Sequence, residues 1–527
     1  MKKPERIELT EEELDALLAR AETNSLTEED CRVIKGMAET ILALSNAVDE
    51  KGTSIKRLLK AMFGSKTESS QNILPTSSDD ESTKKSTPGR NKRKNKKKRK
   101  GHGRRGSAQY TGAEKVTVTH TELQTGEQCP LCKRGKVYPL KTPGTVVRVT
   151  GRAPLQATLY ELEKLRCNAC LEVFTAKLPT EAGTEKYDEA AGSIIALLKY
   201  GSGFPFYRLD DFQESLGVPM PASTQWKVVE TAADKIHLVY LALVRLAAQG
   251  ELIHNDDTTM KILEMIEENR TRTSRKGMFT TGFVSTLEER KLALFYTGRN
   301  HAGENMADLL EQRKENTPPP IHMCDASSRN APQGHKTILT NCMSHARRNF
   351  VEILESFPEQ CRFVIETIGK VYKNDAQTKH LTPLERLKFH QINSGTLMGK
   401  LKRWLNRQFK GKKAEPNSGL GKAISYMLRH WKKLTMFLKV PKAPLDNNIC
   451  ERLLKRAILH RKNSMFYKTQ HGAYIGDMFM SIIQTCKLQK VNPFEYITAL
   501  QKYSKHLKGD AENWMPWNYK EAVAALT

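Results

Sequence analysis

Apolar residues Ile34, Met37, Ile41, Leu44 and Val48 follow a strict 3-4-3-4 spacing that lapses at Lys51-Gly52 and resumes with Ile55, Leu58 and Met62. That spacing predicts a coiled-coil seam of about four heptads. Thr10-Glu11-Glu12-Glu13 and Thr27-Glu28-Glu29-Asp30 carry the capping pattern that opens helices ahead of it. An amphipathic helix docked on another domain is the alternative, but the polar segment that follows favours self-association into a homo-oligomer. Residues 65–108 pass from Ser, Thr and Asp to Lys, Arg and Gly with almost no large apolar side chain, so they read as a disordered linker. Residues 109–180 return to β patterning in VTVTH, GTVVRVTG and ATLYELEKLRC. Residues 181–250 are helical, with breaks at Gly201–Phe206 and Gly217–Pro221. They suit either a helix-turn-helix DNA-binding domain or a bridging bundle.

From 251 the pattern changes again. LIHNDDTTMKIL, GMFTTGFVST and KLALFYTG read as strands, HAGENMADLLEQR as a helix, and PPIHMCD and KTILTNC as two further strands. That order is the one of an RNase H-like sheet, with a short connection before the last strand. Residues 352–440 read as a mainly helical insertion, 441–490 as the return to the core, and 491–527 as a helical tail. The predicted fold class is multidomain α+β. An RNase H-like α/β core (251–351 and 441–490) follows a helical coiled coil (1–64), a basic linker (65–108), a small zinc-binding β domain (109–180) and the helical segment 181–250.

Charge narrows the partner. The 527 residues carry a formal net charge of +26, and Lys84–Arg105 alone holds thirteen Lys or Arg and no acidic residue. Such an excess points to a polyanion, and to nucleic acid rather than membrane, because no bulky apolar face accompanies the run. A solvated, solubilising linker is the plainer reading; counterion release on phosphate contact favours DNA. Lys97, Lys98, Arg99, Arg104 and Arg105 are the candidate contacts, and Gly101–Gly106 resembles a minor-groove arm. No run of about 18 apolar residues predicts a membrane span, and the N-terminus lacks a secretory apolar stretch. A soluble, intracellular protein is expected. Of ten cysteines, Cys129/Cys132 and Cys167/Cys170 form two CxxC pairs. Two such pairs complete the four-thiolate shell that Zn²⁺ prefers.

The carboxylates carry the candidate chemistry. Asp256 lies in the first predicted core strand and Asp325 ends the fourth, strands that neighbour one another in this topology. Glu451 opens a helix after the turn Pro444–Asn448. Three carboxylates suit two hard divalent ions, Mg²⁺ or Mn²⁺, which clamp the attacking and leaving oxygens of a phosphodiester displacement. Asp257 should face the other side of a regular strand and is expected to support the site from behind.

The motifs HNDDTT with Asp256, MCDASSRN with Asp325, NCMSHARRNF around His345 and PLDNNICERLLKRAILHRKNSMFYKT with Glu451 together make the chain resemble the insertion sequence 66 family of bacterial transposases. The resemblance runs from GHGRRG through both CxxC pairs to NPFEYI. It implies a catalytic Asp256–Asp325–Glu451 triad, an RNase H-like core, a zinc-binding domain ahead of it and small accessory proteins of the same element. Two departures stand out. The family often carries Asp-Glu-Thr-Pro where this chain has Asp256-Asp257-Thr258-Thr259. A basic residue is common seven positions after the glutamate, where this chain has Ile458. Lys455, Arg456, Arg461 and Lys462 are the available substitutes, with Arg461 or Lys462 expected to contact the transposon-end phosphates, and His345 is a candidate for orienting a phosphate or Asp325. The expected function is binding transposon ends, metal-dependent cleavage and joining of the 3′ hydroxyl to target DNA. The rivals are an RNase H-like nuclease that never joins strands and a non-catalytic zinc DNA-binding protein.

Overall fold

A computed structural model of the chain describes some positions between 17 and 37, parts of 116–148, and residues 153–526 except 167–172 and 272–273. The chain divides into two compact units, Met1–Lys84 and Lys85–Thr527. In the first, residues 28–34 are helical, and the Asp30 and Thr27 side chains bond each other's backbone amides at 2.9 and 3.2 Å as a capping pair. The seam positions Ile41 to Met62 and the whole linker, with Lys97, Lys98, Arg99, Arg104 and Arg105, lie outside the described residues.

The second unit is mixed α/β. A short antiparallel pair, β1 (Lys164–Arg166) and β2 (Val173–Thr175), precedes the helical segment. The main sheet contains β3 (Leu252–Thr259), β4 (Phe279–Leu287), β5 (Arg290–Gly298), β6 (Ile321–Cys324) and β7 (Ile338–Asn341) in the order β5-β4-β3-β6-β7. β3, β4 and β5 form an antiparallel meander, while β6 and β7 run parallel to β3. Runs of apolar residues on β3 to β5 bury Ile253, Phe283, Val284, Leu294 and Phe295 completely.

Helices α1 (Glu189–Ala196), α2 (Phe206–Ser215) and α3 (Ala222–Ala248) precede the sheet. The 27-residue α3 shares the sheet's core, and the Ser285 hydroxyl donates to the Ala247 carbonyl at 2.6 Å. Helix α4 (Leu263–Glu268) follows β3, and α5 (Ala302–Glu311) joins β5 to β6. After β7, a helical excursion comprises α6 (Met343–Glu352), α7 (Pro358–Gln377), α8 (Pro383–Asn393), α9 (Gly395–Lys410), α10 (Gly419–Arg429) and α11 (Trp431–Leu434). The chain then re-enters the core as α12 (Asn448–Ser464) and α13 (Gln470–Leu488), and ends in α14 (Pro493–Lys502) and α15 (Tyr519–Ala524). No helix among the described residues is long and apolar enough to cross a membrane.

β5 is a sheet edge, and α13 seals it. Ala293, Phe295 and Thr297 direct their free amides outward and donate to Thr485 Oγ1 (3.0 Å), Ser481 Oγ (2.9 Å) and Asp477 Oδ2 (2.6 Å). The acceptors recur every four residues along the helix, the donors every two along the strand, so the two rises stay in step. An otherwise unpaired edge is thereby satisfied inside the protein.

Candidate active site

The last parallel pair between β3 and β6 is His254 with Met323. Two residues further along come Asp256, still within β3, and Asp325, the residue after β6, so adjacent parallel strands deliver two carboxylates at the same end of the sheet. Opposite Asp256, across the antiparallel pair, stands Gly282. A side chain there would meet Leu454 of α12, because a Cβ on Gly282 would lie 3.0 Å from Leu454 Cδ2. The missing Cβ lets α12 cross the sheet beside Asp256, and the Cys450 thiol donates to the Gly282 carbonyl at 3.2 Å. Glu451 follows in the first turn of that helix.

A buried relay of amides fixes these parts. Asn330 Nδ2 donates to Asp325 Oδ1 at 2.7 Å, and the Ser327 amide donates to the same oxygen at 2.9 Å. Asn255 Nδ2 donates to the Asn330 carbonyl (2.9 Å) and the Ala302 carbonyl (3.1 Å), while Asn255 Oδ1 meets His322 Nε2 at 2.8 Å. Asn447, at the start of α12, donates to the Asn255 carbonyl (2.9 Å) and meets His254 Nδ1 at 3.0 Å through its Oδ1. Burial pushes His254 down to about 4 and His322 down to about 3, so both rings are neutral partners in this relay.

Burial raises the Asp256 carboxyl to about 7; a bond from the Asp257 amide opposes the rise, and the charges of Asp325, Asp257 and Glu451 add to it. Such a group keeps its proton near neutrality unless a cation takes the proton's place. Asp257 points the other way: its Oδ2 lies 3.2 Å from His301 Nδ1 and accepts from the Ala302 amide at 3.5 Å, at the N-terminus of α5. Its carboxylate therefore faces the positive end of that helix.

Asp256, Asp325 and Glu451 do not all lie within 4.8 Å of one another. Among the described residues, the group whose ligand atoms all lie within 4.8 Å of one another is Cys342, His345 and Glu451. His345 Nδ1 is 3.7 Å from Glu451 Oε1. His345 thus stands beside Glu451, a placement that the spacing of NCMSHARRNF does not convey. Arg461, further along α12 than Arg456, is turned onto the end of β3, where it bonds Thr259 Oγ1 at 2.7 Å and Thr258 Oγ1 at 3.1 Å. Arg456 and Lys462 stand exposed on α12.

The helical excursion adds residues that the sequence pattern does not single out. Tyr426 of α10 lies against His430, with ring centroids 4.8 Å apart; burial, aided by the charge of Asp325, pushes its hydroxyl up to about 12. Lys433 of α11 acts electrostatically on Cys324, the residue before Asp325. No local pattern marks these side chains, because the chain reaches Asp325 only after several intervening helices. The same stretch, 394–445, holds thirteen Lys or Arg against the single acidic Glu415.

In the β domain, residues 126–137 form a tight hairpin in which the Cys129 amide donates to the Gly135 carbonyl at 2.7 Å. Backbone amides of Arg134 and Gly135 and the neighbouring Cys129 hold the Cys132 thiol below its ordinary value. Cys167 and Cys170 lie between β1 and β2, outside the described residues.

The fold and site together define a mixed α/β protein with acidic residues gathered at one end of a five-stranded sheet and a basic helical excursion beside them. Comparison with known proteins gives the lineage: residues 186–475 match the model described as "Transposase IS66 family", and the chain belongs to that family. It is also similar to three uncharacterized proteins of Sinorhizobium fredii (strain NBRC 101917 / NGR234). It is 23% identical to y4hP over 397 residues, covering 69% of this chain and 68% of that protein. It is 30% identical to y4jD over 190 residues, 34% of this chain and 36% of that protein. It is 22% identical to y4qI, covering 62% of each. Membership supports a role in transposition and DNA as the partner.

Proposed function

We propose that this transposase is of the DDE type: it cuts transposon-end DNA at a site built from Asp256, Asp325 and Glu451 and joins the resulting 3′ hydroxyl to a target phosphodiester. The observation that carries the reading is the delivery of Asp256 and Asp325 to the same end of adjacent parallel strands, with the Glu451 helix seated on Gly282 beside them. The antiparallel meander followed by two parallel strands supports an RNase H-like core.

The donor set fits hard divalent cations, Mg²⁺ or Mn²⁺: hard oxygens, one of them on a buried carboxyl raised by burial and by its acidic neighbours. Asp256, Asp325 and Glu451 would hold the ions, which when bound supply neutralisation of the phosphate and activation of the attacking oxygen. The chain's own residues do the rest. Asn330 and the Ser327 amide fix the Asp325 carboxylate, leaving its second oxygen for the site. Asn447 sets where α12 begins and therefore where Glu451 can reach. Tyr426, which feels the charge of Asp325, and Lys433, which acts on Cys324, are with their neighbours His430 and Lys432 suited to holding the phosphates flanking the cut. Arg456 and Lys462 extend that basic surface along α12, and the basic linker adds non-specific grip.

The Cys129–Cys132 turn, with its lowered thiol, supports a four-thiolate Zn²⁺ site completed by Cys167 and Cys170. Pairing of protomers through the N-terminal heptads would hold two ends together, with accessory proteins of the element as further partners. The test is strand cleavage and strand transfer on a labelled transposon-end duplex with Mg²⁺. Asp256→Asn, Asp325→Asn and Glu451→Gln should each abolish both steps while gel-shift binding persists. Strand transfer surviving in Glu451→Gln would remove the glutamate from the assignment.

A further inference from the structure

The third carboxylate of the proposed site stands in unusual company. Glu451 Oε1 and His345 Nδ1 are both buried atoms without a hydrogen-bond partner, 3.7 Å apart, which is too long for a bond between them. Cys342, the residue before α6, completes the group, with all three ligand atoms within 4.8 Å. A tetrahedral zinc ion holds its ligands about 3.5 Å apart, so the His–Glu spacing already fits and the thiol needs only a small approach. The three groups come from a rigid frame. Cys342 and His345 sit one turn apart at the start of α6, the Asn447 amide donates to Cys342 Sγ at 3.2 Å, and Glu451 lies one turn further along the helix that Asn447 begins. Thiol, imidazole and carboxylate are a borderline-soft set, unlike the all-oxygen shell that Mg²⁺ demands. The unpartnered pair supplies two ligand atoms with no competing bond to break.

From this cluster we infer a second cation site in the catalytic unit: Cys342, His345 and Glu451 bind a thiophilic divalent ion, zinc by its ligand chemistry, and in doing so withdraw Glu451 from Asp256 and Asp325. Binding releases the Cys342 thiol proton to solvent and leaves the fourth position for water. The inhibitory part of this inference rests on the proposed role of Glu451; the binding part does not. Zinc and magnesium then compete through one shared carboxylate, and zinc holds the transposase inactive.

Cobalt and zinc titrations of the full-length protein test both parts. Wild type should take up one equivalent of Co²⁺ more than Cys342→Ser, with an added thiolate-to-cobalt charge-transfer absorption. The cysteines of the β domain are common to both proteins and cancel in the difference. His345→Gln, at a half-buried position, is the second variant should Cys342→Ser fail to fold by circular dichroism; it should lose the same equivalent. In Mg²⁺-dependent cleavage, each protein measured against its own zinc-free rate, the half-inhibiting Zn²⁺ concentration should rise at least about 10-fold in Cys342→Ser, the loss that even an outer partner of a metal ligand causes. Equal cobalt uptake by wild type and both variants overturns the site. Equal zinc inhibition overturns the competition for Glu451. Absence of any Mg²⁺-dependent cleavage would instead sink the proposed function, while the cobalt difference would still decide the site.

Discussion

Asn447 donates its side-chain amide to the Asn255 carbonyl at 2.9 Å, joining the residue before Asp256 to the residue that begins the Glu451 helix. The two asparagines are 192 positions apart in sequence, yet their bond ties together the segments that carry Asp256 and Glu451. Asn447 is fully buried, so Asn447→Ala strands the Asn255 carbonyl and the His254 ring in the interior. The expected cost is about 1–3 kcal/mol, read as a lower denaturation midpoint at unchanged slope. Cleavage should fall by more than the unfolded fraction explains.

Gly282 is the point where α12 touches the sheet. A Cβ there would lie 3.0 Å from Leu454 Cδ2, so Gly282→Ala demands a shift of a few tenths of an ångström, and Gly282→Val forces the helix outward. Overpacking of this kind costs about 1–3 kcal/mol. A folded Gly282→Val protein, checked by thermal melt, should bind DNA and lack cleavage.

The buried carboxyl of Asp477 makes stability depend on pH. Burial pushes it up to about 7 from an ordinary value of 3.8, despite the bonds from Thr297. Below the unfolded value the acid is neutral in both states, and its contribution is fully present. As pH rises through the folded value that contribution is lost, because the native state must ionise a buried group or keep its proton at a cost. Asp477→Asn keeps an acceptor for the Thr297 amide and has no such dependence. Its melting temperature relative to wild type should climb between pH 4 and pH 8, on the order of 5 °C.

The basic excursion should reveal itself through salt. Lys402, Arg403 and Arg407 of α9 are exposed, and reversing any one of them to Glu should weaken DNA binding at low salt. The slope of log affinity against log salt should become shallower by about 0.9 for each phosphate that is no longer neutralised. An unchanged slope would mark that face as merely solvated.

Much of the frame around the proposed site was legible because it is local. The alternation in β3 placed Asp256 and Asp257 on opposite faces, and the structure finds Asp257 against His301 while Asp256 turns toward the buried site. The turn before α12 marked where Glu451 begins a helix. Three things had no local signature. The amide relay Asn330–Asn255–Asn447 links partners 75 and 192 residues apart, and an asparagine looks the same in a turn as in a buried network. The position of His345 beside Glu451 depends on how α6 and α12 meet. Arg461 sits on the strand end, bonded to Thr258 and Thr259, because the two threonines at the end of β3 offer oxygens there. The helical stretch 181–250 divides where the glycines suggested, but what α3 packs against could be read only from the sheet.

The helical excursion leaves the core at Cys342 and returns at Asn447, and those two residues touch: the Asn447 amide meets the Cys342 sulfur, and the Met343 amide meets the Leu445 carbonyl at 2.9 Å. A segment pinched shut at its own neck behaves as a cassette. Its length can drift beyond α6 without moving α12, since the cost of a longer loop grows only slowly once its ends are pinned. If the proposed function holds, grafting this cassette between related transposases should exchange how each one holds its DNA while leaving α12 in register with the sheet.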